Sequence, residues 1–259
     1  MNEHNRKVKR AVDGYNREVR AHNNRVRANR QRLQRELRRL ESQPTTVHVT
    51  YRTSVQSLTR SFERVDTLVE EQGSTQSGVD LAELGEGEAA NSVGVLNALL
   101  DTSPDVGDDP SLRVPSLAEE LGTFSDDLVK RWQGALFALN PANPDAARHF
   151  CTSAREVLTL MLESSAGDRE VLANNPDCEL TPNGTPSRRA KVRFLLARKG
   201  IVEQEFEDFV EADLDDVIAL FKAFNGGTHG EAGKYTVRQL VAMRQRVESA
   251  IKFLHRVIY

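Results

Sequence analysis

Residues 145–164 read DAARHFCTSAREVLTLMLES, and this stretch decides the fold class because its apolar residues recur at helical spacing. At 100° per residue, one face of the predicted helix collects Phe150, Ala154, Val157, Leu158 and Met161, with Cys151 and Leu162 widening it. We therefore expect a long amphipathic helix whose apolar face packs against further helices.

The same periodicity appears on both sides of this stretch. It predicts helices after a Ser54 cap and over 81–100, 116–139, 187–199, 203–210 and 213–224. A last helix begins at Thr236, where Thr236 and Gln239 form a capping box. The fold class is therefore mainly all-α, with a long N-terminal helix followed by a helical bundle.

The N-terminal forty residues predict a long basic helix. A heptad seam runs through Val8, Val12, Tyr15, Val19, Val26 and Leu33, with His22 and Asn29 at two polar seam positions. This region holds thirteen Lys/Arg against four Asp/Glu, a charge of +9 in a chain of net charge −3. Such a helix needs a partner helix, and its cations, including Arg20 and Arg27, suit nucleic acid or an acidic protein surface.

Three segments follow from these patterns. We predict a basic coiled-coil-like helix over 1–43, a helical linker region over 44–108 and a C-terminal helical bundle over 109–259. The boundary falls in residues 101–115, which combine three prolines and a glycine with four aspartates. Residues 46–51 (TVHVTY) alternate in the manner of one short strand or an extended linker.

Composition limits the compartment and the cofactors. No apolar run is long enough to cross a membrane, and the basic, polar N-terminus does not resemble a secretory signal, so we expect a cytoplasmic protein with no membrane partner. Cys151 and Cys178 form no CxxC pair, which argues against a zinc site. The acidic residues between 203 and 216 match no metal-binding pattern. We therefore expect neither a metal nor another cofactor.

Two arginines stand out on the helix over 145–164. Arg148 and Arg155 lie at one rim of its apolar face, whereas His149 and Glu156 lie on the other side. Guanidinium groups at a core edge require an anionic partner. They either form salt bridges to the acidic helices at 203–216 or clamp a phosphodiester.

A glycine-rich connection between two helices is the second candidate. Residues 224–235 read FNGGTHGEAGKY and place Thr228 and His229 among glycines. Within this turn, His229 suits general acid–base chemistry near neutral pH, while Asn225 or Thr228 can donate to a phosphoryl oxygen. The other interpretation is a flexible connection with an incidental surface histidine.

A third candidate is the basic segment SRRAKVR over 187–193. Its cations Arg188, Arg189, Lys191 and Arg193 lie at the start of a helix, where the helix dipole disfavours positive charge. The segment therefore suits a phosphate-rich ligand such as nucleic acid, although a solvated charged face is the commoner outcome for a run of this kind.

These motifs carry a resemblance to a known family. The order RWQGALFALNPANPDAARHF, SAREVL, SRRAKVRFLL and NGGTHG over about 116–259 resembles predicted nucleases associated with prokaryotic PIWI systems. More loosely, it is similar to HEPN-type helical ribonucleases of phage defence. The resemblance implies a metal-independent nuclease with Arg155, Glu156 and His229 as active residues. The HEPN motif, with arginine and histidine on one helix, is absent, so these groups would meet across helices.

Two functions from different classes follow. In the first, the protein is an antiphage defence component that cuts RNA or DNA phosphodiesters, with His229 as acid/base and Arg155 and Arg148 stabilising phosphoryl charge. In the second, it is a non-enzymatic assembly or regulatory subunit. Its N-terminal helix forms a coiled coil with itself, giving a homo-oligomer, or with a partner, and its C-terminal bundle docks a catalytic defence-system partner protein. A small-molecule enzyme is disfavoured because no cofactor motif is present.

Overall fold

The structure is a computed structural model. It describes Lys7, Arg10, Gly14, Arg17, 28–29, 31–36, 38–39, 48–101, 109, 112, 114–140, 143–225 and 235–259. The chain divides into two compact units, Met1–Pro44 and Thr45–Tyr259.

In the unit Met1–Pro44, every described residue is helical, as the heptad pattern predicts. Leu33 on the predicted seam is buried, whereas the described lysine and arginine side chains are exposed. A local ion pair joins Arg39 Nε to Glu36 Oε2 at 3.0 Å. Pairing of this helix into a coiled coil stays a prediction, as do the binding roles of Arg20 and Arg27, which lie outside the described residues.

The described part of the unit Thr45–Tyr259 contains nine helices. They are α1 (Val49–Gln72), α2 (Gln76–Leu100), α3 (Ala118–Gly122), α4 (Asp126–Ala138), α5 (Ala146–Ser165), α6 (Asp168–Asn174), α7 (Arg188–Arg198), α8 (Gln204–Asn225) and α9 (Val237–Ile258). Across these residues there is no sheet, and only an isolated bridge joins Leu180 to Pro186. The predicted all-α fold is confirmed.

Side-chain caps explain where several helices begin. The hydroxyls of Thr75, Ser125 and Ser187 accept hydrogen bonds from backbone N–H groups in the first turns of α2, α4 and α7. At α9, Thr236 accepts from the Gln239 N–H while the Gln239 side chain accepts from the Thr236 N–H. The predicted capping box is therefore confirmed.

Helix α8 is central to the packing of this unit. It packs against α1, α5 and α7, while α2 packs against α9 and α4 against α5. Both α8 and α9 contribute long buried apolar rows. Residues on both sides of the segment 101–115 thus belong to the same compact unit. In the described ranges, no helix is long and apolar enough to cross a membrane.

Two element predictions are wrong in detail. The strand predicted near 46–51 is not formed at Val49–Tyr51, which is the first turn of α1. Tyr51 belongs to a buried helical row with Val55, Leu58 and Phe62, and this longer periodicity overrides the local alternation. The two helices predicted over 203–210 and 213–224 are one continuous helix, α8 (Gln204–Asn225). Asp213 occupies its buried face and interrupts the apolar pattern without interrupting the helix.

Two further boundaries differ from the prediction. The helix predicted over 116–139 is divided into α3 and α4 because Ser125 caps a new helix start. The polar segment 166–186 contains the short helix α6, whose buried residue is Val171. The hydrogen bond accepted by the Ser125 hydroxyl sets the start of α4, and burial of Val171 accounts for α6.

Candidate nucleic-acid site

A cleft of about 420 Å³ lies between α5, α7 and α8, and we call it the cationic cleft. Its apolar lining is buried or half-buried and consists of Leu158, Leu162, Leu214, Ile218 and Phe221. Its cationic lining consists of Arg155 from α5, Arg188 and Lys191 from α7, and Lys222 from α8. Thr159 and Glu163 also line the cleft, so a single carboxylate of the lining accompanies four positive charges.

Among the described residues that line the cleft, Arg155 and Lys222 are the cations available for a ligand. The guanidinium carbon of Arg155 lies 5.6 Å from the centroid of the buried Phe221 ring, so a cation–π contact holds the side chain. Within the described residues, neither Arg155 nor Lys222 has a carboxylate at ion-pair distance. Both side chains are exposed. An anion entering the cleft would therefore meet two charges that no acidic residue already neutralises.

The α7 cations are anchored by carboxylates. Arg188 Nη2 lies 3.0 Å from Glu211 Oε2 and 2.5 Å from Asp215 Oδ1. Burial alone would lower the pKa of Arg188, but its bonds to these two carboxylates outweigh burial and raise that pKa. Lys191 Nζ lies 2.8 Å from Asp168 Oδ1. The ion pairs fix both cations at the cleft edge and reduce the charge that they present.

Arg189 and Arg193 do not line the cationic cleft. Arg189 pairs with Glu207 and, at 2.5 Å, with Asp208, while Arg193 Nε lies 2.7 Å from Glu207 Oε2. Burial alone would raise the pKa of Glu207, but the hydrogen bonds from Arg193 and Arg189 outweigh burial and lower it. Within the basic segment 187–193, Arg189 and Arg193 therefore join α7 to α8 by ion pairs, whereas Arg188 and Lys191 line the cleft.

The remaining α5 candidates lie elsewhere. Arg148 Nε is 3.4 Å from Asp145 Oδ1, on the turn that begins the helix. Glu156 accepts from Arg131 Nη1 at 2.7 Å, and both side chains are exposed. Neither residue lines the cleft. The structure therefore brings Arg155, Arg188 and Lys191 together but separates them from Arg148 and Glu156.

The glycine-rich connection begins and ends beside the end of α8. Tyr235 donates its hydroxyl to the Ala223 carbonyl at 2.6 Å, and its ring lies 4.6 Å from that of Phe224. Burial, followed by the nearby Cys151, raises the pKa of Tyr235 to about 12. Thr228 and His229 lie outside the described residues, as does the side chain of Asn225. Their predicted roles therefore stay predictions.

A buried ionic cluster is the main feature that sequence reasoning missed. Arg246 of α9 is fully buried and contacts carboxylates from two other helices: Glu88 at 2.7 Å, Asp213 at 2.5 Å and Asp216 at 3.1 Å. Ser92 donates to Asp216 at 2.5 Å and accepts from Arg246 at 2.6 Å. The only sequence signal is an arginine within the apolar row of α9.

This cluster retains protons because one guanidinium cannot balance three carboxylates. Burial, followed by the charge of Asp213, raises the pKa of Glu88 to about 8 against the opposing charge of Arg246. Burial also raises the pKa of Asp216 to about 6 and that of Asp213 in the same direction. Burial thus favours the protonated form of Glu88. The cluster lies in the core, and we assign it a structural role.

In the part of the chain that the structure describes, no group of three or more His, Cys, Asp or Glu side chains is placed to hold a metal ion. Lys222, a cleft residue that the sequence analysis did not select, lies on the last turn of α8 just before the glycine-rich connection. The sequence signal that could have identified Lys222 is its position as a basic residue in the last turn of a helix rich in acidic residues.

Comparison with known proteins bears on the helices that build this cleft. A family model described as predicted pPIWI-associating nuclease matches residues 121–254. This range begins at the end of α3 and includes α5, α7 and α8, together with Arg246 of α9. No curated protein and no solved structure matches the chain.

Proposed function

The chain belongs to the predicted pPIWI-associating nuclease family, and from this premise we propose that it binds and cuts nucleic-acid phosphodiesters at the cationic cleft. We place this activity in prokaryotic antiphage defence, alongside a PIWI-like partner protein. The resemblance noted over 116–259 agrees with the family match, whereas the looser HEPN likeness remains a prediction.

The observation that carries the proposal is the convergence of four cations on one cleft. Arg155 and Lys222 supply charge that no carboxylate of the described chain neutralises, and the anchored Arg188 and Lys191 add to it. Phosphoryl transfer concentrates negative charge on the phosphoryl oxygens, and preorganised cations stabilise that charge most where solvent is partly excluded. Arg155, held against Phe221, is preorganised in this sense.

His229 is the proposed acid/base group. It lies four positions after Asn225, the last residue of α8, and four steps of extended backbone span at most about 14 Å. Acting as base, the imidazole takes a proton from the attacking hydroxyl, which is the 2′-hydroxyl of RNA or a water molecule. The new phosphorus–oxygen bond forms as the bond to the leaving oxygen breaks. That oxygen takes up a proton from solvent water, and the imidazolium then returns its own proton to solvent. The scheme uses cationic side chains in place of a metal ion.

Cleavage assays with the full chain test this proposal. End-labelled RNA and DNA, single- and double-stranded, are incubated with the wild type and with Arg155→Gln, Lys222→Gln and His229→Ala. We expect each variant to lower kcat/KM by roughly 100-fold, as loss of one transition-state donor does. Arg169→Gln and Lys252→Gln are matched controls, because both exposed cations lie outside the cleft lining.

Two outcomes would contradict the proposal in different places. If Arg155→Gln and Lys222→Gln cleave as fast as the controls, the cationic cleft is not the site. If a chelator abolishes wild-type cleavage and magnesium restores it, the metal-free step is wrong although the cleft can still bind the substrate. Equal activity of His229→Ala and wild type would remove His229 from the mechanism.

A further inference from the structure

The cationic cleft has an apolar half that phosphate binding does not require. Leu158, Leu162 and Leu214 are buried and Ile218 is half-buried, yet all four line the cavity. A bare phosphate is bound by cations and N–H donors and gains nothing from leucine side chains. The ligand that fits this lining therefore carries an apolar, flat or aliphatic part next to its anionic group.

The volume of the cleft points in the same direction. About 420 Å³ falls within the range of roughly 300–1,000 Å³ that is typical of pockets for organic ligands. A phosphate group would leave most of that space filled with water against apolar walls. A nucleotide would fill it, because the base can occupy the apolar half while the phosphate meets the cations.

Arg155 provides a stacking surface for such a base. Its guanidinium packs on the Phe221 ring on one side, and the side chain is otherwise exposed. Guanidinium planes are common stacking partners for unpaired bases. The same side chain can therefore contact a base with its flat face and a phosphate with its N–H groups.

We infer that the cationic cleft receives one unstacked base of a single-stranded nucleic acid, with the adjoining phosphate on Arg155 and Lys222. The inference rests on the proposed function and makes its substrate single-stranded. In a duplex each base is paired and stacked, and extruding one costs a few kcal/mol, whereas an unpaired strand offers bases at little cost.

A tryptophan reporter at the cleft edge tests this inference by binding alone. Thr159 is exposed and lines the cleft, so Thr159→Trp places an indole where an entering base would stack on it. Thr152→Trp, one exposed residue of the same type two turns earlier on α5, is the matched control and lies outside the lining. The native Trp132 is buried and gives a constant background.

Each full-length variant is titrated with a short mixed-sequence single strand, with its duplex and with an abasic strand of equal phosphate number. We expect the base-bearing strand to quench Thr159→Trp fluorescence and to bind at least tenfold more tightly than the abasic strand or the duplex. Thr152→Trp should show no base-dependent quenching. Equal affinities for the three ligands, or equal quenching by the abasic strand, would overturn the inference.

A free nucleoside monophosphate carries the same base and phosphate as the strand, so it is titrated as an alternative ligand. Quenching by the free nucleotide without quenching by the strand would overturn the assignment to a polymer. The two proposals fail separately. If Arg155→Gln and Lys222→Gln lose cleavage while the abasic and base-bearing strands bind alike, only this inference falls. If base-dependent quenching is seen but these variants cleave normally, only the proposed function falls.

Discussion

Arg246 is a fully buried guanidinium whose three carboxylate partners come from α2 and α8. Tyr51 of α1 adds a hydrogen bond from its hydroxyl to the Ser92 carbonyl at 3.4 Å. Four helices thus meet at one ionic cluster. Removal of a single member leaves an unpaired charge in the core. The resulting loss of folding stability is larger than the net contribution of the ion pair, because the remaining charge stays buried without a partner.

Substitution of Arg246 should therefore be severe. We expect Arg246→Met to lower the free energy of unfolding by about 3–5 kcal/mol at neutral pH, measured by urea denaturation. Arg256→Met on the same helix is the control, because its pair with Asp80 is 3.4 Å long and the arginine is 58% exposed. A change within about 0.5 kcal/mol is expected there. Equal midpoints for the two variants would contradict the structural role of the cluster.

Glu88 makes the stability depend on pH. Its pKa is raised from 4.5 to about 8, so the folded protein holds a proton that the unfolded chain releases. This contribution is complete below pH 4.5 and is lost as the pH rises through 8, at about 1.4 kcal/mol per pH unit inside the window. The groups that face Glu88 are Arg246, Asp213 and Asp216, together with the Ser249 hydroxyl.

A neutral isostere isolates this effect. The pKa of Asp216 is about 6, so the interval from pH 6 to pH 8 reports mainly on Glu88. We expect urea midpoints of the wild type to fall across that interval and those of Glu88→Gln to fall less steeply. Parallel curves for the two proteins would show that Glu88 is ionised in the folded state at pH 6.

At the scale of the element, α2 contains a glycine that the packing requires. A Cβ added at Gly85 would lie 2.8 Å and 2.9 Å from ring carbons of Phe209 and 3.3 Å from Phe62. Both rings are buried, so neither can move aside without disturbing the core. At Gly87, two positions further along the same helix, an added Cβ meets nothing within 4 Å.

The two glycines should respond in opposite directions to alanine. Gly87→Ala should stabilise the protein by about 0.5–1 kcal/mol through helix propensity. Gly85→Ala gains the same propensity but overpacks the contact with Phe209, which costs about 1–3 kcal/mol. Thermal and urea unfolding should therefore place Gly85→Ala below Gly87→Ala. The reverse order would mean that α2 does not approach Phe209 this closely.

At the scale of the whole molecule, the charge is divided between the two segments of the chain. Residues 1–40 carry +9 and the remaining 219 residues carry −12. We expect the basic segment 1–40 to contribute sequence-independent affinity for phosphate through counterion release, and this affinity should weaken as salt increases. The cationic cleft, with far fewer charges, should show a weaker dependence on salt.

Deletion of residues 1–43 tests whether the basic segment is the source of the salt-dependent affinity. We expect the truncated chain to keep the fold of the compact unit Thr45–Tyr259, to bind single strands more weakly and to show a shallower slope of log affinity against log salt. Circular dichroism, binding titrations and the mass in solution are the measurements. Unchanged affinity and slope, combined with loss of an oligomer, would favour the non-enzymatic assembly subunit instead.

The sequence by itself determined where most of the helices lie, although it missed the break between α3 and α4 and the continuity of α8. Spacings of three and four residues predict helices because they place apolar side chains on one helical face, and hydroxyl side chains such as Thr236 mark helix starts. Arg155 at the rim of the α5 apolar face and the basic start of α7 were visible in the same way. Patterns of this kind extend over a few turns, so the sequence alone is sufficient to recognise them.

Only the tertiary structure decided which charges meet. Arg189 and Arg193 pair with Glu207 of α8, whereas Arg155 and Lys222, from helices far apart in the chain, line one cleft. The partners of Arg246 lie up to 158 positions away along the chain. A charged residue has the same pattern in the sequence whether it faces solvent, a ligand or a buried carboxylate. The packing of distant helices selects among these environments, since it sets both the distance to the partner and the loss of solvent.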